Sequence, residues 1–390
     1  MPRLLVVTSS YPMQDNPASG IFVDKILRHL PADWEITVLT PATAHDTVPR
    51  REGHQSVQPV VYAPRAWMRL AHAPGGIMPQ LRRHPWLGLL LPAMLLRLAW
   101  CLRRQAREHD VIYANWAIQG ALAGLVTLGW RKPLVTALRG SDVHARQTLS
   151  QRLFLKMTAL FSSKITAVSD DFATTIQSIM PSCGPIVVVQ NGVDDSLLTL
   201  PPPDRTLAQE LRLLSIGSLI PVKDHRTLLH ALARLNTYPW HLRIVGEGPE
   251  RKGLERLAKE LHIENRVELL GAVSPAQIPG VLAHHDVLIH PSLAEGRSNV
   301  VIEAMAAARA IIASDIPSQR DLLGTGAGIL FPPADIAALH DALASLTDHD
   351  LTSLGLTARQ HILDRGLTWP GAGRQLDGVL RSCLEAGEIR

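Results

Sequence analysis

Residues 286–315, DVLIHPSLAEGRSNVVIEAMAAARAIIASD, read as strand, loop, helix, strand. The apolar run 286–290 is closed by Pro291, and a loop over 292–298 carries Gly296. Ser298 or Asn299 can cap a helix whose apolar positions are Val300, Val301, Ala304, Met305 and Ala308. Residues 310–313 form the next apolar strand. A strand that feeds a helix through a glycine-bearing loop presents the helix's first-turn amides, here those of Asn299 and Val300, at the carboxyl edge of a parallel sheet. That place suits a phosphate. Glu295 lies in the loop, and Glu303 lies about one turn into the helix. An ionised carboxylate only accepts hydrogen bonds, so each suits a pair of vicinal sugar hydroxyls. Amides for a diphosphate, flanked by carboxylates for hydroxylated rings, meet what a nucleotide sugar asks of a pocket. An ordinary crossover with solvated glutamates has the same outline, so the rest of the chain supplies the context.

The run Glu295-Gly296-x-x-Asn299-Val300-x-x-Glu303-Ala304-Met305-Ala306 resembles the Glu-x7-Glu signature of the family 4 retaining glycosyltransferases, which have the GT-B fold. The resemblance implies an α/β chain of two Rossmann-like domains facing a central cleft, with a C-terminal helix crossing back to the first domain. Residues 1–198 with about 371–390 would bind the acceptor, and residues 205–370 the nucleotide sugar. It also implies roles. Glu295 would hold sugar hydroxyls and orient the anomeric carbon, Glu303 would hold the ribose, and Lys223 would stabilise charge on the departing diphosphate.

Composition sets the bounds. A chain of 390 residues accommodates two domains of ordinary size, and 46% apolar with 19% charged residues describes a globular chain. Of 39 basic residues only seven are lysines, in a chain of net charge +4. Arginine excess suits phosphate or anionic lipid, and no interleaving of basic and aromatic residues argues for nucleic acid. Cys101, Cys183 and Cys383 are scattered without pairing or metal spacing, which fits buried thiols in a reducing cytoplasm. The apolar run at 4–7 is too short for a secretory core. Residues 86–101, WLGLLLPAMLLRLAWC, are interrupted by Pro92 and Arg97 and fall short of the ~20 apolar residues a spanning helix needs. Flanked by Arg82, Arg83, Arg103 and Arg104, they read either as a partly buried helix or as an interfacial segment on an anionic membrane face.

Taken in order, the chain alternates strand and helix. A strand at 3–8 leads through a Ser- and Pro-rich loop to Gly20, which opens a helix carrying Ile21, Phe22, Val23, Ile26, Leu27 and Leu30 at helical spacing. Residues 45–85 read as irregular, and 87–106 as a helix. Strands follow at 111–114 and 134–138, the latter ending in Arg139-Gly140-Ser141-Asp142, then at 165–169 and 186–189. The turn at 190–194 and the prolines 201–203 mark a boundary and a linker. The alternation then restarts, with strands at 211–217, 242–246, 267–270 and 328–331 and helices at 223–235, 276–283, 335–346 and 371–384.

Several of these stretches extend the resemblance. Tyr11-Pro12, Asn16-Pro17 and Gly20-Ile21-Phe22-Val23 are similar to the N-terminal loop of exopolysaccharide and teichuronic-acid enzymes, in which the matching glycine approaches the donor phosphate. Gly217-Ser218-Leu219-x-x-x-Lys223 resembles a diphosphate clamp of Arg and Lys; Lys223 is kept, and Ser218 stands where the Arg belongs. Arg297, in the donor loop, is a candidate to make up that charge. Gly246-Glu247-Gly248-Pro249 resembles a glycine turn near the nucleoside. Tyr113 and Asn115 replace frequent histidines, and Arg139 replaces the histidine near the reacting sugar. A guanidinium there can contact a hydroxyl or phosphate but is a poor base. Asp142 reads as a turn or helix cap, and His284-His285 as a dipole-favoured helix end.

Absences narrow the reading. There is no Gly-x-x-x-x-Gly-Lys-Ser/Thr loop, no Gly-x-Gly-x-x-Gly after the first strand, and no ligand-spaced cluster among the 17 histidines. Asp348-His349-Asp350 reads as a surface turn, so no metal is expected. The expected function is transfer of a hexose, with retention, from a nucleotide sugar (UDP by family frequency) to a saccharide acceptor, lipid-linked, in cell-surface polysaccharide biosynthesis. The expected location is cytoplasmic, peripheral to the inner membrane. A catalytically weakened nucleotide-sugar-binding subunit and a nucleotide-sugar 2-epimerase are the alternatives.

Overall fold

In a computed structural model, Leu4, Leu5, Val6 and Val7 are all fully buried. Alternation along the strand divides them. Leu4 and Val6 join a core with Ile26, Leu27, Leu376 and Leu380, whereas Leu5 and Val7 pack with Leu98, Leu102 and Ile112. A strand covered on both faces is the mark of a parallel sheet with helices on either side. The structure describes residues 1–17, 19–72, 77–130, 132–142, 149–181, 183–203, 210–295, 298–324 and 326–388.

The first sheet contains β1 (Arg3–Val7), β2 (Glu35–Pro41), β3 (Arg50–Glu52), β4 (Gln55–Val60), β5 (Val111–Asn115), β6 (Leu134–Ala137), β7 (Lys164–Ala167) and β8 (Val187–Val188). Their order is β3-β4-β2-β1-β5-β6-β7-β8, parallel except for the β3–β4 pair. The second sheet contains β9 (Leu211–Ile216), β10 (Trp240–Val245), β11 (Val267–Gly271), β12 (Val287–His290), β13 (Ala310–Ser314) and β14 (Ile329–Phe331), in the order β11-β10-β9-β12-β13-β14, all parallel. Here too the faces alternate. Leu211 and Leu213 pack with Leu228 and Leu232, and Leu214 and Ile216 with Val301 and Met305.

The chain divides into two compact units, Met1–Asn191 with Trp369–Arg390, and Gly192–Thr368. The second unit therefore begins earlier than the linker composition implied. Val193 and Leu197 already sit in its core beside Val301 and Ile302. The C-terminal helix, Trp369–Glu388, belongs to the first unit: Trp34 Nε1 donates to Asp377 at 2.7 Å, and Gly373 lies against the His29 carbonyl so closely that a Cβ there would stand 2.2 Å from it. Pro370 occupies the first turn of this helix, which starts before the position expected for it; a first-turn proline forfeits no helical hydrogen bond.

Two further readings change. Residues 45–85 are not irregular: they hold β3, β4 and a short helix, Ile77–Arg83. β4 is next to the edge and carries Pro59 among polar residues, which hides its strand character. The expected helix over 87–106 is a 3₁₀ segment, Pro85–Leu90, continued by an α-helix, Leu91–Gln105, with Pro92 in its first turn.

Candidate active site

β12 ends at His290, and the loop after it turns back on that residue. His290 is 2% exposed, and its Nε2 lies 3.1 Å from Glu295 Oε1, 3.1 Å from Ser292 Oγ and 3.2 Å from Ser298 Oγ. Ser292 Oγ donates to the same carboxylate oxygen at 3.1 Å. Ser298 also caps the Asn299–Ala306 helix, accepting from the Val301 amide at 3.4 Å, so of the two expected caps Ser298 is the one used. Ser314, at the end of β13, donates to the Ser292 carbonyl and ties the neighbouring strand to the same loop.

Lys223 completes this cluster with an ion pair to Glu295. It does not open a helix, as its spacing suggested. It closes the 3₁₀ turn Pro221–Lys223, and the following Asp224 takes a left-handed φ of 47° to cap the helix His225–Ala233. The Leu293 amide donates to the Val222 carbonyl at 2.8 Å, locking this turn to the Glu295 loop. Burial would raise the Glu295 pKa, but the His290 hydrogen bond and the Lys223 charge outweigh it and hold the carboxyl down to about 2. Glu295 is thus an anion whose charge is already matched. His225 is buried beside Lys223 and His290, and its Nδ1 finds no hydrogen-bond partner among the described residues. Burial, with His290 and Lys223 adding to it, pulls its pKa to about 4.

The glycine turns form the floor of the same edge. A Cβ on Gly246, whose φ is 148°, would stand 1.9 Å from the Gly217 carbonyl, and one on Gly248 2.3 Å from the Leu219 carbonyl. The Leu219 amide donates to the Glu247 carbonyl at 2.9 Å. Ser218 and Glu247 are exposed there, and Arg251 pairs with Glu247 at 3.0 Å. Glu303 is half-buried on the helix beyond Ser298, where Asn299 is exposed and Val300 half-buried. Gly217, Ser218, Lys223, Gly246, Glu247, Glu295, Ser298, Asn299, Val300 and Glu303 therefore share the carboxyl edge of one sheet. Gly296 and Arg297 lie outside the described residues.

The first unit gathers a different set at its own carboxyl edge. Arg139, after β6, donates from Nη2 to Asn115 Oδ1 at 3.2 Å and from Nη1 to Asn191 Oδ1 at 3.4 Å, and its guanidinium lies 4.5 Å from the Phe22 ring centre. Burial lowers its pKa from the ordinary arginine value, with Tyr113 and Asp142 opposing. Arg139 Nε and Asn115 Nδ2 are buried with no partner among the described residues. Asp142 accepts from the Arg139 amide at 2.9 Å and the Ala117 amide at 3.2 Å, so it is committed to the turn. Gly20, with φ 60°, precedes the helix Ile21–Arg28, and a Cβ there would meet the Ser10 carbonyl at 2.1 Å. The glycine is required by that close approach.

Sequence reasoning missed His290, Ser292, His225 and Asn191. Only a polar residue closing an otherwise apolar strand hinted at His290. Of the paired histidines, His284 caps the C-terminus of the helix Ile278–Ala283 as expected, its Nδ1 bonded to the Gly280 carbonyl at 2.7 Å, and only His285 departs. His285 is buried, which pulls its pKa to about 4, so it is a neutral ring bonded at Nδ1 to the Val281 carbonyl (2.6 Å) and not a cationic cap. Among the described residues no group of three His, Cys, Asp or Glu is placed to hold a metal ion.

A model of the glycosyl transferases group 1 matches residues 204–360, and one of glycosyltransferase family 4 matches residues 19–197. The chain belongs to the family 4 glycosyltransferases. The putative teichuronic acid biosynthesis glycosyltransferase TuaC of Bacillus subtilis is 24% identical over 372 residues, which cover 87% of this chain and 88% of that protein. Among solved structures, sucrose-phosphate synthase from Thermosynechococcus elongatus has a TM-score of 0.77 at 20% identity, covering 99% of this chain and 100% of that one. HepE of Anabaena, solved in complex with UDP and glucose, has a TM-score of 0.71 at 20% identity, with 98% and 100% covered. The fold is GT-B.

Proposed function

We propose that the chain moves a hexose, with retention at the anomeric carbon, from a nucleoside diphosphate sugar to a saccharide acceptor. The observation that carries this reading is the Glu295–Lys223 pair, held by His290 and Ser292 on the sheet edge that also presents the Ser298-capped helix and Glu303. Lys223 and Glu295 satisfy each other's charge. An arriving diphosphate competes for Lys223, and the released Glu295 turns to the hydroxyls of the transferred sugar. Lys223 and the amides of Asn299 and Val300 then meet negative charge as it grows on the leaving diphosphate, so they bind the transition state more tightly than the ground state. Glu303 takes the ribose.

UDP is assigned as the nucleotide, a choice supported by HepE, which was solved with UDP. Cell-surface polysaccharide biosynthesis is assigned as the setting, supported by TuaC, whose name describes teichuronic acid biosynthesis. The acceptor is a lipid-linked saccharide taken by the first unit, where Gly20 and Arg139 line the sheet edge. Its hydroxyl proton passes to the departing diphosphate, on which negative charge grows as the bond to the sugar breaks. We place the chain in the cytoplasm, peripheral to the membrane, and assign it no resident metal.

The test is binding and hydrolysis of UDP-, GDP- and ADP-sugars, followed by transfer to lipid-linked acceptors with the product anomer read by NMR. One nucleotide class bound, an α-product from an α-donor, and activity unchanged by a chelator support the reading. An inverted anomer overturns retention. Ser218, standing where a clamp Arg is expected, favours the reading of a nucleotide-sugar-binding subunit, for which binding without turnover would be the outcome. A product that keeps its nucleotide would mark an epimerase.

A further inference from the structure

The helix Leu91–Gln105 carries two apolar stripes. Met94, Leu98 and Leu102 repeat every four residues and are buried, Leu98 and Leu102 against the sheet and Met94 against Tyr62 and Met68. Leu96 and Trp100, on the opposite side, are 71% and 55% exposed, although a surface helix ordinarily turns polar residues there. The segment entering the helix adds Leu89 at 83% and Trp86 at 50% exposure, and Trp86 packs edge-on against the exposed Trp67 with ring centres 6.3 Å apart. Such a run of large apolar side chains on one surface is more than scattered exposure and marks an interaction site.

The charge around it has one sign. Between Gly53 and Ser169 the chain holds fifteen lysines and arginines against three acids, Glu108, Asp110 and Asp142, whereas acids outnumber bases in the remainder. Arg97 and Arg104 stand over Trp100, at 5.3 and 5.9 Å from its ring centre, and Arg103 and Arg107 stand over Trp130. This surface has apolar groups at its centre and guanidinium groups around them. A second copy of the chain is a poor occupant, because a two-fold contact would press like charges together. A surface both acidic and apolar is needed, and an anionic bilayer supplies phosphates at the level of the arginines and acyl chains beneath them. Tryptophan rings are suited to that boundary.

We propose that this face, formed by Trp67, Trp86, Leu89, Leu96 and Trp100 with their flanking arginines, docks the first unit on an anionic lipid membrane. The helix lies in the interface and does not cross it: its outer stripe enters the acyl boundary while Met94, Leu98 and Leu102 stay in the protein core. The inference is independent of glycosyl transfer and names the surface through which a lipid-borne acceptor would be met.

The experiment is co-sedimentation of the full chain with phosphatidylglycerol-containing vesicles and with pure phosphatidylcholine vesicles, without sugar nucleotide or acceptor. The expected result is binding to the former only, falling at least about tenfold when salt is raised to half molar. Leu89→Glu with Leu96→Glu lowers it at least about tenfold, and Arg104→Ser about fivefold. The replaced leucines are exposed, so melting temperature and UDP affinity serve as controls and stay put. Equal binding to both vesicles, or full binding by the double variant, overturns the proposal. So does a lipid-free dimer that the double variant dissolves, which would make the face a contact between copies. Failure here with successful transfer to a soluble acceptor leaves the catalytic reading intact.

Discussion

The carboxyl edges of the two sheets are built by the same strand–loop–helix grammar and end in opposite electrostatic states. In the second unit the ion pair of Lys223 and Glu295, with His290, Ser292 and Ser298 around it, is satisfied within the protein. In the first unit Arg139 and Asn115 meet each other yet each keeps a buried nitrogen without a partner among the described residues. A buried polar atom left unpaired costs free energy, and a ligand that pairs it recovers that cost. On the proposed function, one edge opens its network to bind and the other offers buried donors to its ligand. The difference teaches that position in the fold selects where chemistry happens, and side chains select what kind.

Breaking the closed edge gives the largest effect. On the proposed mechanism Lys223→Ala removes the charge opposite the leaving diphosphate, and turnover in a donor hydrolysis assay should fall on the order of 100-fold or more. Lys223→Arg does not restore it, since the planar fork cannot occupy the point taken by an ammonium between Glu295 and a phosphate. An unchanged rate would remove Lys223 from the mechanism.

The same edge makes the second unit acid-sensitive. His225 is neutral when folded, its pKa near 4 because of burial and the neighbouring His290 and Lys223, whereas in the unfolded chain it titrates near the ordinary histidine value of 6.5. The native state thus binds fewer protons. The stability is complete above pH 6.5 and is lost as pH falls toward 4, about 2 kcal/mol of it between pH 7 and pH 5. Denaturant melts of wild type and His225→Asn across that range check this: the variant's curve should be flatter by that amount, and parallel curves would sink the assignment.

Smaller changes sharpen the division of labour. Glu303→Ala should weaken UDP binding by about tenfold while inorganic pyrophosphate binds as before, as calorimetry would show. Ser218→Arg restores a second cation to the clamp and should tighten UDP by about fivefold. A loss of affinity would mean that the exposed Ser218 site lies away from the diphosphate.

Much of this was legible in the chain. The apolar runs gave the strands of both sheets other than β3 and β4, the stretch 246–249 read as a glycine turn, and Ser298 was one of two caps readable before an apolar helical repeat. The stretch 45–85 was not legible, because β3 and β4 are short, polar and interrupted by Pro59, and their strand character comes from pairing with β2. His290 was hidden for a related reason: nothing local distinguishes a strand-ending histidine that packs on a carboxylate from one that faces water.

The sequence by itself determined the alternation of elements, the two-unit plan and the carboxylates at 295 and 303, because period, turn chemistry and motif spacing are properties of neighbouring residues. Only the tertiary structure decided that His290, Ser292 and Ser298 converge near Glu295, that Lys223 sits 72 residues away in sequence yet pairs with it, and that Leu96 and Trp100 stay uncovered while Leu98 is buried. Those are long-range facts, set by which strands lie side by side and which face of a helix the sheet covers.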